Sequence, residues 1–195
     1  MKSVLISIQP KWVKKICSGE KTIEVRKTRP KIETPFKCYI YCTKGEILRL
    51  IQNGVKSKTE LAGYLLNGKV IGEFVCDWIT EITPHCDIKD FVNQYIHSYP
   101  AILGENDCLS FQEMKAYLGN KNGYDWHISD LKIYDKPKEL SEFRKPFNPK
   151  KLDIRKFIIK NGINNIAPHF KSRCDFCDKI TRPPQSWYYV ERFGE

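Results

Sequence analysis

Hydrophobic and polar residues alternate over several short stretches of the chain, which is the pattern of half-buried β-strands. In residues 21–27 two apolar residues interleave with polar ones, and in residues 36–42 Tyr39 and Tyr41 lie on the face opposite to three apolar residues. The pattern predicts strands over residues 2–8, 21–27, 36–42, 69–82 and 187–191, and a strand or strand pair over residues 123–134.

Other stretches repeat their apolar residues every three to four positions, which is the period of an α-helix. Pro10 suits the first position of a helix, and Ser110 with Glu113 three residues later predicts a capping box. Helices are predicted from Pro10 to near Gly19 and over residues 87–97 and 110–118, with a short helical stretch near Glu60–Leu66. Because strands and helices do not alternate regularly, the pattern favours a mixed or antiparallel barrel of the α+β class over a doubly wound sheet.

Two residues interrupt the apolar run over residues 69–82. Gly72 predicts a bulge or the close approach of another backbone. By the two-residue period, Glu73 shares a face with Ile71 and Val75. A carboxylate there is either turned to solvent or held in a cleft with a raised pKa, and the sequence leaves both interpretations open.

The 195 residues fit one domain spanning residues 1–195, with a core large enough to be stable without disulfides. Insertions are expected near residues 43–67 and 85–120, and an irregular extension over residues 147–186. No apolar run approaches the ~18 residues that a membrane span requires, so no membrane partner is expected. The apolar stretch at the start is too short for a signal peptide, so a cytoplasmic location with mostly reduced thiols is expected.

Basic residues exceed acidic ones by ten, and the excess is uneven. Residues 1–50 carry 12 basic and 4 acidic side chains, and residues 151–195 carry 9 and 5, whereas the middle of the chain has no excess. Clustered positive charge is typical of proteins that bind polyanions, of which nucleic acid is the commonest in the cytoplasm. The alternative is a basic protein kept soluble by its lysines.

The most distinctive segment is residues 19–27, which joins the end of the first helix to a strand. Thr22, Glu24 and Arg26 lie on one face of that strand, and Lys21 at the bend can reach the same place. Such a group can form an exposed ion pair worth under ~1 kcal/mol. It can also orient a ligand, with Lys21 or Arg26 on a phosphate and Glu24 accepting a hydrogen bond from a base or sugar.

The pattern Gly19-x-Lys21-x-x-Glu24-x-Arg26 resembles the signature of the ASCH family, which has a PUA-like β-barrel fold. Further blocks fit the same order along most of the chain, and the later ones resemble the bacterial and prophage branch: Pro35–Tyr41, Gly68–Phe74, Trp126–Asp130, Leu140–Phe143 and Pro183–Trp187. The resemblance implies a PUA-like mixed β-barrel flanked by helices, with an RNA-binding cleft near the signature.

The expected partner is therefore RNA or a nucleotide-like ligand. Aromatic residues of the first predicted helix and of the predicted strands can offer stacking faces for unpaired bases: Trp12, Tyr39, Tyr41, Trp126 and Trp187. Basic residues in and after the signature strand can contact phosphates: Lys27, Arg29, Lys31 and Lys37. The predicted ligand-binding residues are Lys21, Thr22, Glu24, Arg26, Lys27, Arg29 and Tyr41.

Two alternatives to binding alone stay open. The chain also resembles small PUA-like hydrolases of acetylcytidine, which implies catalytic roles for Lys21 and Glu73. Glu24 occupies the position where that family has threonine, so its catalytic role would instead be that of a general base acting on water. A ribonuclease at the same cleft is a variant of this hypothesis, with His127 as a titratable group suited to neutral pH. The other alternative is an interaction module without catalysis.

Cofactors are not expected, with one weak exception. Cys174-x-x-Cys177 has the spacing of half a zinc site, which His169, Cys86 or His85 would have to complete. Two solvated thiols are the preferred interpretation, so no metal site is favoured. The remaining cysteines lie in apolar surroundings and are predicted to belong to the core: Cys17, Cys38, Cys42, Cys76 and Cys108.

Overall fold

The computed structural model describes residues 2–51, 54–56, 64–82, 107–146 and 179–192. The helices in these ranges are α1 (Pro10–Cys17) and α2 (Phe111–Leu118), with a 3-10 turn over Leu140–Glu142. The strands there are β1 (Ser3–Ile8), β2 (Ile23–Arg26), β3 (Phe36–Cys42), β4 (Arg49–Ile51), β5 (Gly54–Lys56), β6 (Tyr64–Leu65), β7 (Val70–Cys76), β8 (Ile79–Ile82), β9 (Gly123–His127), β10 (Ser129–Lys138), β11 (Phe143–Arg144) and β12 (Trp187–Arg192).

A curled six-stranded sheet in the order β10-β7-β3-β1-β12-β11 forms the centre of the fold. β1 and β3 are parallel, and the other neighbours in this sheet are antiparallel. A second sheet has the order β2-β9-β8, and a third, small sheet has the order β5-β4-β6. The predicted α+β class is confirmed, and the curled mixed sheet is consistent with a PUA-like barrel.

Apolar side chains cover both faces of the six-stranded sheet. The main core contains Cys38, Ile40 and Cys42 of β3, together with Val13 and Ile16 of α1. The opposite face holds a second cluster of buried residues: Leu5, Tyr39, Tyr41, Val70, Tyr134, Phe143, Ile180 and Val190. The predicted alternation along residues 36–42 is therefore confirmed, and the two faces provide separate environments for polar groups.

A bulge at Gly72 changes the faces predicted for β7. Ile40 pairs with Gly72 whereas Tyr41 pairs with Val70, so Ile71 is an extra residue on β7. Ile71 consequently faces the main core and Glu73 does not, which corrects the prediction that these two residues share a face. A Cβ atom on Gly72 would lie 2.5 Å from the carbonyl oxygen of Lys132, so the predicted close backbone approach is confirmed.

The remaining element predictions are confirmed in part. The capping box of α2 is present, and residues 123–134 fall in two consecutive strands, β9 and β10, which belong to different sheets. The single strand expected over residues 69–82 is instead two strands, because the backbone leaves the sheet at Asp77 and Trp78. Tyr64–Leu65 pairs with β4 as a strand, so the helical stretch expected near Glu60–Leu66 is wrong in its described part. The helix expected over residues 87–97 lies outside the described residues.

Candidate nucleic-acid interface

The polar face of β2 is turned towards the main core. Glu24 pairs in register with Trp126 of β9, whose side chain is fully buried in that core. Lys21, Glu24 and Arg26 are 2%, 6% and 7% exposed, respectively. The three residues that the sequence grouped are therefore brought together, and the interpretation as an exposed ion pair is wrong because water is excluded from all three.

Lys21 joins β2 to the segment that precedes α2. Its Nζ atom donates a hydrogen bond to the carbonyl oxygen of Asp107 at 2.5 Å and lies 3.5 Å from Oε2 of Glu24. The same ammonium group lies 5.2 Å from the ring centroid of Trp12, within the range of a cation–π interaction. A buried ammonium with these partners is compensated within the protein.

Arg26 connects β2 to β1 and to the segment before β12. Its Nη2 atom lies 2.9 Å from Oε1 of Glu24 and donates to the carbonyl oxygen of Ser7 at 2.6 Å. Its Nη1 atom donates a long hydrogen bond of 3.5 Å to Oγ of Ser186. Oγ of Ser7 in turn donates to the carbonyl oxygen of Pro184 at 2.7 Å. The ion cluster of Lys21, Glu24 and Arg26 thus fastens three distant parts of the chain.

Two atoms of the ion cluster stay without a hydrogen-bond partner among the described residues. They are Oε2 of Glu24 and Nε of Arg26. The indole Nε1 atom of Trp126, in the strand paired with β2, has no such partner either. Buried polar atoms are usually paired. This part of the interior therefore retains one acceptor, Oε2 of Glu24, and two N–H donors, those of Arg26 and Trp126, without hydrogen bonds to the described residues.

Asp107 is a member of this neighbourhood that the sequence did not reveal. It is 6% exposed, and its Oδ1 atom accepts a hydrogen bond from the backbone N–H of Leu109 at 2.8 Å. Burial raises the pKa of the Asp107 carboxyl group, although that hydrogen bond and the charge of Lys21 act in the opposite direction. No spacing rule links Asp107 to Lys21, which lies 86 residues earlier in the chain.

A groove of about 450 Å³ lies next to the ion cluster, where the chain leaves β2. Its lining comes from one continuous segment and one aromatic residue of β9: Lys27, Thr28, Arg29, Pro30, Lys31, Ile32, Glu33 and Tyr124. We call this the basic groove. Lys27, Arg29 and Lys31 are exposed, and none of them forms an ion pair within the described part of the chain.

Two aromatic residues of β12 hold the segment that lines the basic groove. The indole Nε1 atom of Trp187 donates to Oγ1 of Thr28 at 3.0 Å, and the hydroxyl oxygen of Tyr189 accepts from the backbone N–H of Lys31 at 2.6 Å. Nε1 of Trp187 also donates to the carbonyl oxygen of Thr28 at 3.3 Å. The backbone is therefore held at both points, and the basic side chains project from an anchored segment.

Two predicted site residues lie elsewhere. Glu73 and Tyr41 are on the face of the six-stranded sheet opposite to the main core, so the structure does not bring them to the ion cluster. Glu73 accepts a hydrogen bond from Tyr134 at 2.5 Å and lies 3.5 Å from Nζ of Lys37. Partial burial opposes ionisation of Glu73, but the bond from Tyr134 and the charges of Lys37 and Lys132 outweigh it and lower its pKa.

Tyr41 is 5% exposed and packs in the second cluster, where burial raises its pKa. Thr22 is half-buried, and its carbonyl oxygen accepts from the backbone N–H of Ile128 at 2.8 Å. Lys37, proposed above as a phosphate contact, lies with Glu73 and away from the basic groove. Tyr39 and Trp126 are fully buried, so neither offers a face to a base.

His127 lies on the face of β9 opposite to Trp126. Its Nδ1 atom is 2.6 Å from Oδ1 of Asp77, and its ring stacks on Trp78 with the centroids 3.6 Å apart. Since Glu24 pairs with Trp126 and points to the main core, His127 does not face Glu24.

The described cysteines are mostly core residues, as predicted. Cys38, Cys42 and Cys76 are buried in the main core and Cys17 packs against it, and burial raises the pKa of Cys17 to about 11 and those of Cys42 and Cys76 to about 12. Cys108 is an exception, since it is only half-buried and its Sγ atom contacts the carbonyl oxygen of Glu20.

No group of three or more His, Cys, Asp or Glu side chains suited to a metal ion occurs among the described residues. The candidate pair Cys174 and Cys177 lies outside them. No helix in the described ranges is long and apolar enough to cross a membrane.

Comparison with known proteins gives structural similarities. No family model matches the chain, and no curated protein matches it. The ASCH protein of Zymomonas mobilis is 21% identical with a TM-score of 0.48, over 97% of this chain and 87% of that chain. Two single-residue mutants of that protein give 21% identity and TM-scores of 0.49 and 0.48, over 98% and 97% of this chain and 91% and 88% of those chains.

Proposed function

We propose that the chain binds RNA or a nucleotide-like polyanion along the basic groove. The observation that carries this proposal is the set of three exposed cations, Lys27, Arg29 and Lys31, on one anchored segment. Cations without carboxylate partners are available to phosphates, and their contacts release condensed counterions from the nucleic acid. The basic groove contains a single acidic residue, Glu33, so its field attracts anions.

The ion cluster has a supporting role in this proposal. Lys21, Glu24 and Arg26 do not line the basic groove, but Arg26 directly precedes Lys27 and is tied to both β1 and Ser186. We infer that the signature residues set the position of the basic segment, and that phosphates are bound by the residues that follow the signature.

Salt dependence tests the proposal most directly. The affinity for a mixed-sequence RNA of about ten nucleotides is measured by fluorescence anisotropy from low to moderate salt. For single strands, log K falls against log salt with a slope of about −0.7 per phosphate contact, so three contacts predict a slope of about −2. The variant Lys27→Gln/Arg29→Gln/Lys31→Gln is expected to bind weakly with a slope near zero.

A matched control removes the same charge elsewhere. Lys14, Lys44 and Lys136 are exposed and lie outside the basic groove, so Lys14→Gln/Lys44→Gln/Lys136→Gln should bind almost as the wild type does. An equal loss in both triple variants would mean that only net charge matters. Absence of salt-dependent binding in the wild type would refute the proposal and leave the interaction module.

A hydrolase at the Lys21–Glu24 pair is the second candidate. The observation that favours it is that Oε2 of Glu24, 3.5 Å from Nζ of Lys21, and Nε of Arg26 have no hydrogen-bond partner among the described residues. Against it, Glu73 lies on the other face of the sheet and cannot share this site. Incubation with acetylcytidine and, separately, with RNA, followed by chromatography, tests the candidate. Product that forms with the wild type and not with Glu24→Gln would support it.

A further inference from the structure

Tyr117 is an exposed aromatic residue at the edge of the basic groove. It lies on α2 and is 38% exposed, and Nζ of Lys27 is 5.0 Å from the centroid of its ring. Since Lys27 also lines the basic groove, the ring and the cations form one continuous surface. Tyr124 of β9 lines the groove as well, so the groove and its edge carry tyrosines from two different elements.

The packing of α2 keeps this ring in place. Met114 and Leu118 are 5% exposed and pack with Val25 of β2 and Ile82 of β8. The capping box at Ser110 fixes the start of α2, and the bond from Lys21 to Asp107 holds the preceding turn. Burial raises the pKa of Tyr117, the charge of Arg26 lowers it and the charge of Glu24 raises it. The phenol group therefore interacts electrostatically with the ion cluster.

Lys27 has two possible partners at this position. A cation–π contact at an exposed site is weak, whereas stacking of a nucleobase on an aromatic ring and an ammonium–phosphate contact are each stronger. A bound strand can therefore replace the Lys27–Tyr117 contact with both: its phosphate takes the ammonium group and its base takes the ring.

We propose that Tyr117 is the stacking platform for one unpaired base of a single-stranded RNA whose phosphates lie in the basic groove. This inference rests on the proposed function and narrows it to a substrate class. The bases of a duplex are already paired and stacked, so they cannot cover the ring. The groove alone would accept any polyanion, and Tyr117 is the residue that selects strands with free bases.

The test compares two strands of equal charge. One is a single-stranded RNA of about ten nucleotides, and the other is an abasic ribose-phosphate strand of the same length. The proteins are the wild type, Tyr117→Leu, Tyr117→Phe and the control Tyr64→Leu, which removes a tyrosine that is 50% exposed on β6. Far-UV circular dichroism and urea unfolding verify that each variant is folded.

The wild type should prefer the RNA over the abasic strand. Tyr117→Leu should bind RNA roughly 5- to 100-fold more weakly, with the affinity for the abasic strand and the salt slope unchanged. Tyr117→Phe and Tyr64→Leu should keep the preference, because the first retains the ring and the second lies outside the groove.

Three results would overturn the inference. If the wild type binds the RNA and the abasic strand equally well, the inference is refuted without any variant. A Tyr117→Leu protein that keeps the full preference for RNA would refute it while the salt-dependent groove function stands. Absence of salt-dependent binding to either strand would instead refute the proposed function itself, and the inference with it.

Discussion

Two lysine–glutamate pairs of this chain have the same separation and very different surroundings. Nζ lies 3.5 Å from a carboxylate oxygen in both Lys21–Glu24 and Lys37–Glu73. The side chains of the first pair are 2% and 7% exposed, whereas those of the second are 34% and 18% exposed. Distance alone would rank the pairs as equal, so the comparison isolates the effect of burial.

Burial changes what each charge needs from the protein. Because water still reaches Lys37, its ammonium group stays hydrated when its partner Glu73 is lost. Lys21 and Glu24 are cut off from water and depend on the carbonyl oxygen of Asp107 and on Arg26. A buried ion that loses its partner cannot be solvated by water in its place, so the free-energy cost of its desolvation is left uncompensated.

The largest expected effect comes from breaking the buried pair. Lys21→Met should lower the free energy of unfolding by roughly 3–5 kcal/mol, since it leaves the Glu24 charge undercompensated in the interior. Lys37→Met, which removes the same charge from the less buried pair, should cost less than about 1 kcal/mol. Urea unfolding at pH 7 measures both changes.

The double variant Lys21→Met/Glu24→Gln provides the control. It removes both charges of the buried pair, so it should lose less stability than the two single variants added together. Equal losses for Lys21→Met and Lys37→Met would contradict the role assigned to burial.

The sequence was sufficient to predict the faces of β2 and β3, because the two-residue period is local. It did not indicate that Glu24 and Arg26 face the core, since charged positions of an alternating strand normally point to solvent. Their inward orientation depends on partners that come from remote segments, namely Ser7, Asp107 and Ser186. Such contacts follow no spacing rule.

The same limit explains the misplaced Glu73. A strict two-residue period places Glu73 on the same face as Ile71. The bulge at Gly72, in which Ile71 is the extra residue, puts the two side chains on opposite faces. Gly72 was predicted to mark a bulge or a close backbone approach. A bulge, however, changes the face only for the residues on one side of the bulge. The grouping of Glu73 with Lys21 came from the family resemblance instead, and the structure places Glu73 beside Tyr134, on the face of the six-stranded sheet opposite to the main core. The basic segment after β2 was predicted from its composition alone.

An intermediate loss of stability is expected at the less buried pair, Lys37–Glu73. Tyr134→Phe removes the hydrogen bond to Glu73 and should lower the free energy of unfolding by about 1 kcal/mol at pH 7. The pKa of Glu73 is lowered in the folded state, so its contribution is present above the unfolded value of 4.5 and is lost as the pH falls through the folded value. The difference between wild type and variant should therefore shrink below about pH 4.5.

Urea unfolding of both proteins from pH 3 to pH 7 measures this trend. A difference that grows on acidification would mean that Tyr134 stabilises the protonated carboxyl group instead.

The smallest effect at pH 7 is expected for Asp107→Asn, and its pH dependence has the opposite sign. The pKa of Asp107 is raised above the ordinary value of 3.8, so above that value the unfolded chain releases its proton first. The free energy of unfolding of the wild type must then fall as the pH rises from this value to the folded pKa. The asparagine variant, whose side chain can still accept a hydrogen bond from Leu109, has no such loss.

Urea unfolding between pH 4 and pH 7 should show the stability of the variant increasing relative to that of the wild type as the pH rises. If the variant instead loses ground, the attraction between Lys21 and the ionised carboxylate outweighs its burial, and Asp107 belongs with Glu24 as a charged member of the ion cluster.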